Sequence, residues 1–370
     1  MLPLSLYVHY PWCRRKCPYC DFNSHKKPDE QTLDESYLKA LLADYKSLAP
    51  YTDKRDFVSI YFGGGTPSLF APKLMGKLLD TVADKISATT EISMEANPGT
   101  VDYKTLCEYR SLGVNRLSLG VQSFNDHALK CLGRIHNAST AKEACEAALK
   151  AGFDNFNIDI MHGLPDQTLE EAMVDLNTAV NLGCEHLSWY ELTLEEDTVF
   201  GKHPPRLPEE EILADIEESG FAFLEEQGFK RYEISGFCKN KPCKHNLNYW
   251  YFYDYAGIGA GAHSKFFLHG NTYRRSNIED PKAFIAGLNN DVYAVLAEDV
   301  PFEFMLNRLR VFNHIAIDEF TKTTALDKEI VMSKLKEAQK LGLLNFDENS
   351  YFLTSFGKRM LNDILELFLA

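Results

Sequence analysis

The chain has 370 residues, 45% of them hydrophobic and 25% charged, which describes a soluble globular protein with room for two or three domains and excludes a disordered one. Its 39 basic against 53 acidic side chains give a formal net charge of −14, a surface that repels a phosphate backbone and excludes nucleic acid as the expected partner. There is no run of about 18 apolar residues, so no membrane-spanning helix is expected.

From Met1 to Leu6 the chain is apolar but lacks a basic leader region and a small-residue cleavage site, so it reads as a first core strand. Six short β-rich runs then recur, each followed by a helix-like stretch: Leu4–Tyr10, Val58–Gly63, Glu91–Asn97, Arg116–Gln122, Asn155–His162 and His186–Thr193. Helical patterns such as Leu33–Leu48, Ala71–Ile86 and Ala141–Ala151 separate them. This alternation predicts an α/β fold of parallel strands and crossover helices, either doubly wound or an open barrel. The distinctive residues favour the partial barrel, because they fall where barrel enzymes keep their sites, just after the strands. A cysteine cluster follows run one and Gly63-Gly64-Gly65-Thr66-Pro67 follows run two, while Glu95 and Gln122 close runs three and four.

A proline-rich break at 202–208 precedes a helix whose Ile212, Ile216 and Phe223 are expected to line its buried face. A polar patch, Cys238–Lys244, leads into an aromatic cluster, His245–Tyr255, and a glycine turn, Gly257–Gly261. That turn lacks the spacing and the βαβ context of a dinucleotide-binding loop. Beyond about Val300 come a helix at Asp327–Leu341, a hairpin of Leu343–Phe346 and Tyr351–Thr354 around Asp347-Glu348-Asn349, and a last helix, Ser355–Leu369, an arrangement like a winged helix. Acidic side chains outnumber basic ones in 296–370, so a structural or docking role is expected there in preference to DNA binding. The expected division is 1–235 for the barrel, 236–295 for the aromatic segment and connector, and 296–370 for the winged-helix-like end.

The nine cysteines are odd in number and unevenly spaced, which points to a reducing, cytoplasmic setting and one metal site. Cys13, Cys17 and Cys20 lie in one loop with three and two intervening residues, close enough for a cation to stabilise them as thiolates. Structural zinc, with His9 or His25 as fourth ligand, is one reading. The other is an iron–sulfur cubane with one iron free of protein ligands, an open position for chemistry.

Cys-x₃-Cys-x₂-Cys after a first strand resembles the signature of the radical S-adenosylmethionine (SAM) superfamily. The resemblance implies a partial (β/α)6 barrel and a [4Fe-4S] cluster on Cys13, Cys17 and Cys20, with SAM chelating the open iron. Gly63-Gly64-Gly65-Thr66-Pro67 is similar to that superfamily's glycine motif. Tyr7–Cys13, Met94–Pro98, Gly120–Phe124, Leu132–Arg134 and Asp159–Pro165 are similar to the subfamily of oxygen-independent coproporphyrinogen III dehydrogenases and HemW-type heme chaperones. By position, that resemblance implies SAM contacts for Tyr7, Tyr19, Gly64, Gly65, Thr66, Glu95, Gln122, Arg134 and Asp159.

Two features separate the subfamily's members. The dehydrogenases carry a further cysteine two positions after the third and a long N-terminal extension; here Phe22 stands at that position and Cys13 lies close to Met1. His245-Asn246-Leu247-Asn248-Tyr249-Trp250 matches the chaperones' HNxxYW motif, which implies heme binding, with an imidazole from His245 and ring faces from Tyr249 and Trp250. Cys238 and Cys243 are alternative thiolate ligands or plain loop cysteines. The leading expectation is therefore a cytoplasmic heme chaperone passing heme to apoproteins, membrane-bound respiratory ones among them, with its cluster and SAM site retained and pairing into a homodimer left open. The alternatives are a coproporphyrinogen III dehydrogenase, an activity expected to be absent, and a winged-helix regulator sensing heme or SAM.

Overall fold

The computed structural model describes residues 1–347 and 349–369; Glu348 of the expected hairpin turn and the final Ala370 lie outside the described residues. Six parallel strands run in chain order: β1 (Leu4–Tyr10), β2 (Phe57–Gly64), β3 (Glu91–Ala96), β4 (Arg116–Gln122), β5 (Phe156–His162) and β6 (His186–Glu191). Each matches a run expected from the sequence within three residues at its ends. Their residues are buried almost continuously, as in Leu4–Tyr10 where only Tyr7 is half-exposed, because helices cover one face and the barrel interior the other.

The crossovers are α1 (Leu33–Ser47), α2 (Pro72–Thr81), α3 (Tyr103–Ser111), α4 (Ala138–Lys150) and α5 (Leu169–Asn181). Thr168 and Glu171 form a reciprocal capping box that starts α5, and Asp102 and Asn137 cap α3 and α4. After β6 comes α6 (Glu210–Glu226), which buries Ile216, Gly220 and Leu224. The expected stripe is corrected at one end: Ile212, in the first turn, stands 40% exposed. Gly220 is required there, since a Cβ would lie 2.0 Å from the Trp189 ring.

The sheet extends beyond six strands. β7 (Lys230–Arg231) and β8 (Gly236–Cys238) are antiparallel additions beside β6. On the other edge β9 (Asp254–Ile258) pairs in parallel with β1, followed by antiparallel β10 (His263–Leu268), β11 (Asn271–Ser276) and β12 (Tyr293–Ala294). The result is one open twelve-stranded mixed sheet with seven parallel strands at its centre. Residues 236–295 thus contribute strands to the same sheet, and Ala256, Ile258, Phe266 and Phe284 belong to the same core as β1–β6. Sequence periodicity did not show β9, because its Asp254-Tyr255-Ala256-Gly257-Ile258 is short and glycine-containing. Buried charges secure it instead: Asp254 pairs with Arg55 at 2.8 Å and Lys265 at 3.5 Å.

The C-terminal unit has its own core around Phe304, Phe320, Leu335 and Tyr351, which also takes in Phe252 from the loop before β9. Its helices α8 (Val300–Arg308), α9 (Ile317–Thr324) and α10 (Glu329–Lys340) pack on a small sheet of β13 (Ile315–Ala316), β14 (Leu344–Phe346) and β15 (Ser350–Leu353). The expected last helix breaks at Met360 into Ser355–Arg359 and Leu361–Glu366.

Candidate functional site

Two cavities share a wall at the C-terminal ends of the parallel strands. The first, about 490 Å³, is faced by all three clustered cysteines, Cys13, Cys17 and Cys20. Their loop is held at both ends: Trp12–Cys13 pairs with His25–Lys26, and the Lys27 amide donates to the Cys13 carbonyl at 2.8 Å. Thr66 donates to Cys13 Sγ at 3.4 Å, Arg134 Nη1 to Cys17 Sγ at 3.5 Å, and Ser24 Oγ lies 3.6 Å from Cys20 Sγ. Burial pushes the Cys13 and Cys20 thiols up, a penalty that cationic iron would reverse by holding them as thiolates.

The glycine motif follows β2 for a steric reason. A Cβ on Gly64, whose φ is +114°, would stand 2.6 Å from the His9 ring, and one on Gly65 would stand 3.0 Å from Cys13 Sγ and 2.8 Å from the Trp12 carbonyl. Only bare backbone fits beside the cysteine loop. Among the described residues, no three His, Cys, Asp or Glu side chains gather around a single-ion position. A cubane spreads its thiolates around four irons and does not need that convergence. The His9 and His25 rings are already engaged with Asn23, His9 Nε2 with its carbonyl and His25 Nε2 with its side chain.

Eight of the nine residues expected to contact SAM line this first cavity. Gly64, Gly65 and Thr66 come from the end of β2, Glu95 from β3 and Gln122 from β4. Tyr19 comes from the cysteine loop and Arg134 from the turn before α4. Asp159 also faces it, although it lies in the middle of β5 and not at the expected strand end. Gln122 has a left-handed φ of +74° at a register shift in β4, and its side chain accepts from Tyr190 at 2.8 Å. A non-glycine residue held there carries strain that its surroundings sustain, as functional positions commonly do.

The electrostatics suit a polar, charged ligand. Glu95 accepts from Tyr61 at 3.0 Å and from the Gly64 amide at 3.2 Å, yet burial and nearby Asp159 raise its carboxyl to about 7. Asp159, also raised by burial, accepts from Asn157 at 2.7 Å and Ser118 at 3.1 Å. Arg134 donates from Nη2 to the Gly120 carbonyl at 2.6 Å, while its buried Nε has no partner. That spare donor, two half-buried carboxylates and three thiols fit a cluster plus a ligand with amino, carboxylate and hydroxyl groups. Tyr190 and Tyr61 also line the cavity and were missed from sequence; Tyr190 is the last residue but one of β6, a strand-end position that the longer run His186–Thr193 hid.

The ninth residue, Tyr7, lies outside this lining. It lines the second cavity, about 510 Å³, with Tyr249 and Trp250 of α7 (Lys244–Trp250) and Tyr255 of β9. Phe22, Gly64 and Glu95 line both cavities. Edge strands and the C-terminal unit build much of this second space, as Gly261, His263 and Asn307 show.

His245 points away from the space that Tyr249 and Trp250 line. The residue is buried on the inner side of α7, and both ring nitrogens are engaged: Nδ1 with Ser59 at 2.8 Å and Nε2 with the Tyr249 hydroxyl at 2.7 Å. Its ring stacks on Tyr61 with centroids 4.9 Å apart, and burial lowers its pKa to about 3. A neutral, doubly bonded imidazole of this kind positions Tyr249 and offers iron no free lone pair. Cys238 and Cys243 are buried with thiols pushed up to about 11 and about 12, so neither is a ready thiolate.

Comparison with known proteins agrees with this architecture. Residues 7–178 match the radical SAM superfamily and residues 295–359 match the HemN C-terminal domain. The heme chaperone HemW of Escherichia coli is 46% identical, covering all of this chain and 98% of its own length. The Bacillus subtilis protein of the same name is 34% identical over 99% of both chains. The solved coproporphyrinogen III oxidase (HemN) of Escherichia coli, a radical SAM enzyme, shares the fold at a TM-score of 0.83 with 23% identity, covering 99% of this chain and 90% of that one. The chain belongs to the HemW family of the radical SAM superfamily.

Proposed function

We propose that this protein is a cytoplasmic heme chaperone that binds heme in the second cavity and delivers it to heme-requiring apoproteins. On this reading Cys13, Cys17 and Cys20 hold a [4Fe-4S] cluster. Tyr19, Gly64, Gly65, Thr66, Glu95, Gln122, Arg134 and Asp159 hold SAM beside it. A cubane with one iron free of protein ligands supplies an open coordination position to SAM. Tyr249 and Trp250 supply the ring faces for a flat, apolar porphyrin, and His245 fixes the Tyr249 hydroxyl.

The observation that carries the reading is the shared wall. A cavity with three thiols and half-buried carboxylates adjoins one with the aromatic residues of the HNxxYW motif, through Phe22, Gly64 and Glu95. The second cavity lies within the range of roughly 300–1,000 Å³ usual for small-molecule sites, and its tyrosine and tryptophan lining suits a planar ligand. The relatives' name supports heme as the cargo. Phe22, 59% exposed, occupies the position of the dehydrogenases' extra cysteine and weighs against porphyrinogen decarboxylation.

Anaerobic reconstitution followed by two assays tests the proposal. The protein should bind hemin stoichiometrically and pass it to an apoprotein. Supplied with SAM and a reductant, it should yield no protoporphyrinogen from coproporphyrinogen III. Robust conversion would transfer the chain to the dehydrogenase reading.

A further inference from the structure

If the motif histidine is sealed away, heme iron in the second cavity needs another ligand. Two imidazoles line the space, His9 and His263. His9 is buried with both nitrogens committed, Nδ1 to the Tyr7 hydroxyl at 3.0 Å and Nε2 to the Asn23 carbonyl at 2.9 Å. The phenols are committed too. Tyr7 bonds His9, Tyr249 bonds His245, and Tyr255 accepts from Arg274 at 2.5 Å.

His263 is different. It opens β10 and is exposed to solvent; Nε2 lies 3.3 Å from the Ser276 hydroxyl, and Nδ1 has no hydrogen-bond partner among the described residues. Its position depends on the glycine turn that the sequence singled out and no function absorbed. Gly259 and Gly261 have φ of +105° and +75°, and a Cβ on Gly261 would stand 2.4 Å from the Asn23 side chain. The turn therefore reverses the chain tightly against the cysteine loop and returns His263 to the mouth of the cavity.

We infer that His263 is the axial ligand of the heme iron in the second cavity. The inference rests on the proposed heme-binding function and adds the residue that holds the metal. Imidazole in its neutral form is a common ligand for heme iron, and the porphyrin would lie against the Tyr249, Trp250 and Tyr255 rings. Partial burial and the nearby Arg274 charge lower the His263 pKa, which favours the neutral ring. A ligand at an exposed rim also suits cargo that must leave. An acceptor's own ligand can approach from solvent, whereas His245 is buried behind the Tyr249 hydroxyl that it bonds.

The test uses full-length, cluster-reconstituted protein titrated anaerobically with hemin, read by the Soret band and by electron paramagnetic resonance. The variants are His263→Ala, His263→Met and His245→Gln. Loss of an outer hydrogen-bond partner of a metal ligand typically weakens binding 10–100-fold, so loss of the ligand itself in His263→Ala should cost about tenfold or more, with free imidazole restoring the wild-type spectrum. His263→Met should shift the spectrum to that of a thioether ligand. His245→Gln should retain the imidazole signature. Wild-type hemin that keeps its spectrum and affinity in His263→Ala would overturn the assignment and leave the chaperone reading standing. Loss of the imidazole signature in His245→Gln alone would do the same. Failure of the wild-type protein to take up hemin would overturn both.

Discussion

The two cavities share three wall residues but are built by different means. The thiol cavity collects residues from successive strands of the parallel sheet, each placed by the same β/α repeat, and it is rich in carboxylate, guanidinium and hydroxyl groups. The aromatic cavity adds to β1 and the shared wall one short helix, edge strands late in the chain and a residue of the C-terminal unit. A repeated scaffold fixes polar groups to a defined geometry, as chemistry on a polar ligand needs. A composite wall with a solvent-exposed rim suits a ligand that enters and leaves. On the proposed function, that difference would let one fold serve a cofactor and a cargo side by side.

Separate ligands mean that damage to one cavity should spare the other. The largest expected effect is on the thiol side. Cys13→Ala, Cys17→Ala and Cys20→Ala combined should reduce iron content from about four atoms per chain, the content of one cubane, to almost none. Hemin uptake by the same variant should persist. Joint loss of iron and hemin binding, in a variant that keeps its circular dichroism spectrum, would merge the two cavities into one site.

A smaller effect is expected at the buried hinge of the aromatic side. His245→Ala removes the partner of Tyr249 and one of the two partners of Ser59, which Ser5 also bonds at 2.7 Å; an unsatisfied buried hydroxyl costs about 1–3 kcal/mol, to be read as a lowered denaturation midpoint. Hemin affinity should fall moderately through a loosened Tyr249, with the axial-ligand spectrum kept. An unchanged midpoint would mean that the His245 hydrogen bonds contribute nothing to stability.

Smaller still is a pH effect at the shared wall. Glu95 titrates near 7 in the folded protein against an ordinary 4.5, so the native state holds the extra proton between those values. Its contribution therefore makes the unliganded protein lose stability as pH rises from about 4.5 to about 7, and Glu95→Gln should flatten that slope. SAM affinity should rise over the upper part of the same window, because the ionised carboxylate is the better acceptor for an ammonium group. Isothermal titration at pH 6 and pH 8, with iron content as control, reads this directly. The smallest expected effect is none: Phe22→Cys should create no coproporphyrinogen conversion, and measurable product would show that one side chain separates the two activities.

How much was legible in the sequence follows the same division. All six parallel strands were readable, and eight of the nine residues expected to contact SAM lie together around the thiol cavity, because the β/α repeat puts informative residues at predictable strand positions and the cysteine spacing is local. The ninth, Tyr7, lines the aromatic cavity beside the shared wall, and alternation along β1 alone did not say which cavity its ring enters. The inward direction of the His245 ring was not legible because a motif lists residue types and not directions. On the short helix α7, His245 and Tyr249 are four apart, which makes them neighbours that hydrogen-bond to each other. His263 carried no sequence signal, since its position depends on a turn and on the pairing of β9 with β1, a contact between residues some 250 apart.

The most direct test of the two-cavity account is a hemin titration of the Tyr249→Ala, Trp250→Ala double variant, with iron–sulfur content and SAM affinity measured on the same reconstituted sample. The account predicts that hemin binding is lost while four irons per chain and wild-type SAM affinity remain. Undiminished hemin binding in that variant would contradict it.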